Sequence, residues 1–190
     1  FLNGGPGAPS FIYIEKDLIS RLNSPIQGWF GHEKPFDFSL PFIPAKGINR
    51  FDAGTPQILS MVAMEVGIDL TIQAGVKRIR QKSQAQTQFL VELINLKLHP
   101  YGFEIETPSN SNERGSHITL KHKESWRICK ALIVGKAAGV KVIPDFRPPD
   151  YLRLGVAPIY TSYLDLFLSI ERIEQIMQTR EYEDISSEMP

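Results

Sequence analysis

Three short stretches place polar donors where an anionic ligand could use them. In "GWFGHE", residues 28–33, Trp29 follows a glycine in a loop. Indole is an apolar plate with one N–H, so a loop tryptophan either meets a ligand or plugs its loop into a core. In "RFDAGTP", residues 50–56, Gly54 and Thr55 stand just before an apolar run of helical period. A helix start offers free N–H groups, a hydroxyl and a favourable dipole, which together suit a phosphate. Ordinary capping by Thr55, with Pro56 at the first helical position, uses the same residues. In "DFRPPDYLRLGVAPIY", residues 145–160, Arg147 and Arg153 lie near prolines at strand ends. A guanidinium there could fork onto a substrate carboxylate, or pair with Asp145 or Asp150 as a structural bridge.

The opening "FLNGGPGAP" is a backbone device. Its glycines and proline serve tight turning and close approach. Other chemistries find no footing. The four histidines, His32, His99, His117 and His122, share no helix face at i, i+4 and have no cysteine at metal-binding spacing. No phosphate-binding Gly-Lys loop or nucleophile elbow is present, and "GPGAPS" misses a dinucleotide fingerprint at its last position.

These residues need elements to hold them. Residues 1–55 are rich in loops, with short apolar pieces such as "FIYIE" and "FSLPFIP", and read as the rim of a larger sheet domain. From Thr55 the texture becomes helical, with Ile58, Met61, Val62, Val66 and Leu70 at helical spacing and a break at Gly75. A second helix over 76–98 carries Val76, Ile79, Leu90, Leu93 and Ile94 on one side. Lys77, Arg78, Arg80 and Lys82 form a solvated face on the other. After His99-Pro100 the pattern runs strand, strand, helix, strand, strand, helix, a compact α+β domain. In its last helix Leu166, Ile170, Ile173 and Met177 should point inward, and the last residues, "EYEDISSEMP" at 181–190, should fray. The expected division is 1–55 as the end of a large domain, 56–98 as connecting helices and 99–190 as a small domain.

Composition narrows the class. The net charge is zero over 190 residues, which argues against a nucleic-acid partner. The single cysteine, Cys129, excludes an internal disulfide and suits a reducing compartment. No apolar run reaches the roughly 20 residues that span a bilayer. The plain expectation is a cytoplasmic protein, or a piece of one.

As a set, the motifs resemble the C-terminal part of the kynureninases. That family shows Lys-Tyr-Leu-Asn-Gly-Gly-Pro-Gly, then Gly-Trp-Phe-Gly-His, Arg-Phe-x-x-Gly-Thr-Pro, Glu-Arg-Gly-Ser and Gly-Asp-Phe-Arg-x-Pro-Asp-x-x-Arg. Here they stand as "FLNGGPG" at 1–7, "GWFGH" at 28–32, "RFDAGTP" at 50–56, "ERGS" at 113–116 and "PDFRPPDYLR" at 144–153. The resemblance spans nearly the whole chain. Phe1 stands where the family often has Tyr.

The resemblance implies an α/β protein: the C-terminal part of a fold-type I pyridoxal-phosphate enzyme of the aspartate-aminotransferase kind, ending in an α+β small domain. It implies pyridoxal 5'-phosphate as cofactor and kynurenine or its 3-hydroxy form as substrate, in tryptophan catabolism. Trp29, Gly54 and Thr55 would serve the cofactor phosphate across a homodimer with shared active sites, and Arg153 would hold the substrate α-carboxylate. The Schiff-base lysine would lie immediately before Phe1, so this chain lacks it, together with the family's N-terminal half. Two rivals remain open: another enzyme of the class V aminotransferase fold, such as a cysteine desulfurase, and a truncated non-catalytic domain.

Overall fold

The computed structural model of the chain describes residues 4–5, 7–135 and 140–188. It divides into two compact units, residues 1–73 and 74–190.

In the first unit, regular structure is sparse until its end. A single helical turn, α1 (Lys16–Ile19), is followed by 3-10 turns at Trp29–Gly31 and Gly47–Phe51 and a lone bridge between His32 and Pro44. Helix α2 (Ile58–Ala74) closes it. The first backbone bond of α2 runs from Met61 N–H to the Gln57 carbonyl at 3.0 Å, so the helix starts later than Thr55 and Pro56 predict. Thr55 and Pro56 both stand outside the helix. Gly75, at φ +79°, separates α2 from the helix that follows.

The second unit begins with α3 (Val76–Lys97). Then come β1 (Glu104–Ile105), β2 (His117–Lys121), α4 (Ser125–Val134), β3 (Asp145–Arg147), β4 (Tyr151–Gly155) and α5 (Tyr163–Thr179). The strands form one antiparallel sheet in the order β1-β2-β4-β3. Alternation sets its two faces. Ile118 and Leu120 of β2 and Leu152 and Leu154 of β4 are buried, while Thr119, Arg153 and Asp145 share the opposite, half-exposed face. The buried face meets Leu90, Leu93 and Ile94 of α3, Ile128 and Leu132 of α4, and Ile170 and Ile173 of α5 in one apolar core. All four α5 residues expected to face inward do so. Helix α5 is started by a capping box: Ser162 accepts from the Asp165 N–H at 3.1 Å, and Asp165 accepts from the Ser162 N–H at 2.8 Å.

Two local expectations fail. Arg80 is no solvated cation; its guanidinium donates to the Ser111 carbonyl at 2.7 Å and the Arg114 carbonyl at 2.9 Å. The described part of the chain end, residues 181–188, is tied down. Arg127 donates to the carbonyls of Glu183 and Ile185, and Trp126 Nε1 donates to that of Glu188. Both corrections have one cause: long polar side chains satisfy loop carbonyls far away in sequence, which periodicity cannot register.

Candidate functional site

The glycines of the opening loop behave as backbone devices. Gly5 and Gly7 have φ near +77° and +76°, a region other residues rarely adopt. A side chain on Gly4 would come within 2.9 Å of Met64 on α2, so a glycine lets the loop lie against that helix. Phe1, Leu2, Asn3 and Pro6 lie outside the described residues.

The "GWFGH" and "RFDAGTP" stretches are pressed together by two further glycines. A Cβ on Gly28 would sit 1.5 Å from the Ala53 carbonyl oxygen, and one on Gly31 would sit 2.6 Å from that of Asp52. Only bare backbone allows this approach, and it brings the Trp29 turn beside the segment leading to Gly54 and Thr55. Arg50 braces the same segment by donating to the carbonyls of Ile19 at 3.0 Å and Ala45 at 3.3 Å. Sequence reasoning read the "RFDAGTP" motif for its end and missed this brace at its start.

Trp29 is 45% exposed, edge-on to Phe30 at 4.8 Å and Phe36 at 5.7 Å between centroids. It lines an open cleft of about 350 Å³ with His32, Phe36 and Phe42. His32 is held there by structure: its Nδ1 accepts from the Lys34 N–H at 2.9 Å. Gly54 has open space where a Cβ would stand, and Thr55 is exposed. Among the described residues, neither Trp29 Nε1 nor Thr55 Oγ1 has a protein hydrogen-bond partner. An indole N–H, a hydroxyl and an unobstructed glycine backbone fit a phosphate by chemistry.

Arg153 lies in the second unit, on β4, directly opposite Thr119 of β2 and Asp145 of β3. Its Nη2 donates to Asp145 Oδ2, which also accepts from Arg147 Nε at 2.9 Å. Of the two bridges the sequence leaves open, the one to Asp145 forms. Partial burial works to raise the Asp145 carboxyl, but the hydrogen bonds and charges of Arg147 and Arg153 outweigh it and hold it below the usual carboxylate range. The Arg153 side chain keeps 36% of its surface exposed, and among the described residues only its Nη2 is bonded.

Arg114, in "ERGS", has another task. Only 4% exposed, it donates to Thr87 Oγ1, Gln88 Oε1 and the carbonyls of Pro108 and Ser109. It pins the loop before β2 to α3 through neutral acceptors. The only cysteine, Cys129, is 3% exposed on the buried side of α4, and burial pushes its thiol up.

The two units so described carry a fold seen before. The chain superposes on the apo structure of a cysteine desulfurase from Thermococcus onnurineus NA1 with a TM-score of 0.68, at 16% identity, over 88% of this chain and 42% of that one. That places it in the class V aminotransferase fold. Within that fold the sequence is more particular. Residues 79–173 match the family model of the kynureninase C-terminal domain, and the chain belongs to that family. A kynureninase from Geobacillus thermodenitrificans is 36% identical over 190 residues, covering 99% of this chain and 43% of the relative. One from Burkholderia mallei is 36% identical over 179 residues, covering 94% and 42%. The chain thus spans less than half the length of the curated relatives it matches.

Proposed function

We propose that this chain is the C-terminal part of a pyridoxal-phosphate-dependent kynureninase. The reaction is hydrolysis of the Cβ–Cγ bond of L-kynurenine or 3-hydroxykynurenine, consuming water and giving an anthranilate and L-alanine. The observation that carries this reading is the reach of the kynureninase likeness: at 36% identity it runs over 99% of the chain.

In this reading residues 1–55 end the large cofactor-binding domain, 56–98 connect, with the second connecting helix packed into the core of the small domain that 99–190 form. Trp29 Nε1 and the Thr55 hydroxyl donate to the cofactor phosphate, and Gly54 leaves the room a side chain would take. They serve the neighbouring subunit of a homodimer. Arg153 holds the substrate α-carboxylate by the guanidinium edge that Asp145 leaves uncovered, which orients the substrate for cleavage. The cofactor, when bound, supplies the electron sink that makes the bond labile. The lysine that anchors it belongs to the residue before Phe1, in the family's upstream half. A sulfur-transferring reading, suggested by the fold alone, requires an accessible thiolate; the one cysteine of this chain, Cys129, is buried and its thiol is pushed up, so this chain's own residues do not favour it.

Complementation tests this. The purified 190-residue chain is incubated with pyridoxal phosphate and L-kynurenine, alone or with an upstream half ending in lysine, and anthranilate fluorescence is followed. Product should form only in the second sample. Turnover by the chain alone would refute the placement of the lysine, and no turnover by folded, cofactor-loaded pairs would refute the activity.

A further inference from the structure

We propose that Asp145 is a positioning residue for Arg153: it pins one side of the guanidinium so that the other side stays turned outward for a substrate carboxylate. The proposal rests on the reading of Arg153 given above. Three observations carry it.

The first is register. Asp145 and Arg153 are paired across β3 and β4, so they stand on the same face with adjacent side chains. Strand β4 is bonded on both sides, to β2 and to β3, and Leu152 and Leu154 flank Arg153 in the core. Phe146, next to Asp145, packs against Trp126 at 5.3 Å. The pair is therefore mounted on a rigid backbone.

The second is the economy of the contact. Arg153 uses Nη2 alone, and among the described residues Asp145 is the only partner of its guanidinium. A guanidinium has five N–H groups arranged as a fork, so the remaining edge can still take a carboxylate in two parallel bonds. A half-exposed cross-strand ion pair adds little to stability, and the core already fixes both strands. Holding a four-bond side chain in one rotamer, by contrast, removes an entropic cost from ligand binding.

The third is charge. Arg147 Nε donates to the same carboxylate oxygen. Two guanidiniums on one carboxylate leave an uncompensated positive charge at the sheet face, so Asp145 orients Arg153 without cancelling its attraction for an anion.

The test is steady-state kinetics in a full-length kynureninase carrying this C-terminal sequence. Asp145→Asn should raise KM for L-kynurenine about tenfold, the value of one charge-assisted bond held in place. It should leave kcat within about twofold and cofactor content unchanged, since nothing that reacts is touched. In an Arg153→Ala background it should raise KM no further. An unchanged or lowered KM in Asp145→Asn, with KM raised in Arg153→Ala, overturns the role of Asp145 alone. An unchanged KM in Arg153→Ala overturns the arginine assignment itself. Should Asp145→Asn fail to fold, Asp145→Glu carries the measurement. A KM between those of wild type and Arg153→Ala then supports the proposal, and a wild-type or lower KM overturns it.

Discussion

The two units are built on different physics. Residues 74–190 bury Ile94, Leu98, Ile118, Leu120, Leu152 and Ile170 completely, at 0% exposure, between a sheet face and three helices. Among the described residues of the first 73, only Gly31 and Gly67 are buried. Local contacts shape that unit: glycines pressed onto backbone, Arg50 gathering loop carbonyls, Trp29 edge-on to phenylalanines. Its helix α2 carries apolar residues all the way round, and Leu59 is 88% exposed and Val66 74%. Such helices normally belong inside a protein. The lesson is that the unit with a core can fix Arg153 in a bonded sheet by itself, whereas the unit that carries Trp29 and Thr55 shapes its loops with almost no buried side chains.

The comparison breaks most easily by cutting it in two. Residues 74–190 expressed alone should melt cooperatively by circular dichroism, and residues 1–73 alone should show no cooperative transition. Two cooperative melts would mean the first unit carries stability unseen in its packing. A smaller effect is expected from single truncations. Ile118→Ala should cost about 2–5 kcal/mol in denaturant unfolding of residues 74–190, because a fully buried side chain leaves both lost transfer energy and a cavity. Leu59→Ala, exposed, should stay within about 0.5 kcal/mol. Arg114→Ala should cost about 2–3 kcal/mol, since its buried loop carbonyls and hydroxyl lose their donor. A change below about 0.5 kcal/mol would show that water replaces it.

The helices and the core of the second unit were legible in the sequence. Leu166, Ile170, Ile173 and Met177 recur at helical spacing, and one face of a helix packed on a sheet is what periodicity reports. The four strands were legible as segments, although β1 and β3 pair over fewer residues than their alternation suggests. What escaped were side chain to backbone contacts over long separations: Arg50 to Ile19, Arg80 to Ser111, Arg127 to Ile185. No spacing rule encodes them. The Gly28–Ala53 approach escaped for a related reason, since a glycine's lack of a side chain shows nothing of what fills the space. The α2 residues Ile58, Met61 and Val62 were rightly read as helical, but periodicity does not say who covers them.

The smallest effect should be a pH dependence confined to the second unit. Burial pushes His122 below its ordinary value of 6.5, against the opposing pull of its bond to the Tyr101 carbonyl. The unfolded state then binds the extra proton first. The stability owed to neutral His122 is present above about pH 6.5 and drains away as pH falls through the lower folded value. His122→Gln should flatten the pH profile of the melting temperature in that window; an unchanged slope would assign it to other groups.

The division of labour itself is tested most directly by measuring cofactor content and KM side by side in a full-length enzyme carrying Thr55→Ala or Arg153→Ala. Thr55→Ala should lose bound pyridoxal phosphate, read from its visible absorbance, while Arg153→Ala should keep it and lose about two orders of magnitude in kcat/KM. Wild-type kinetics in Arg153→Ala, or full cofactor retention in Thr55→Ala, would contradict the account.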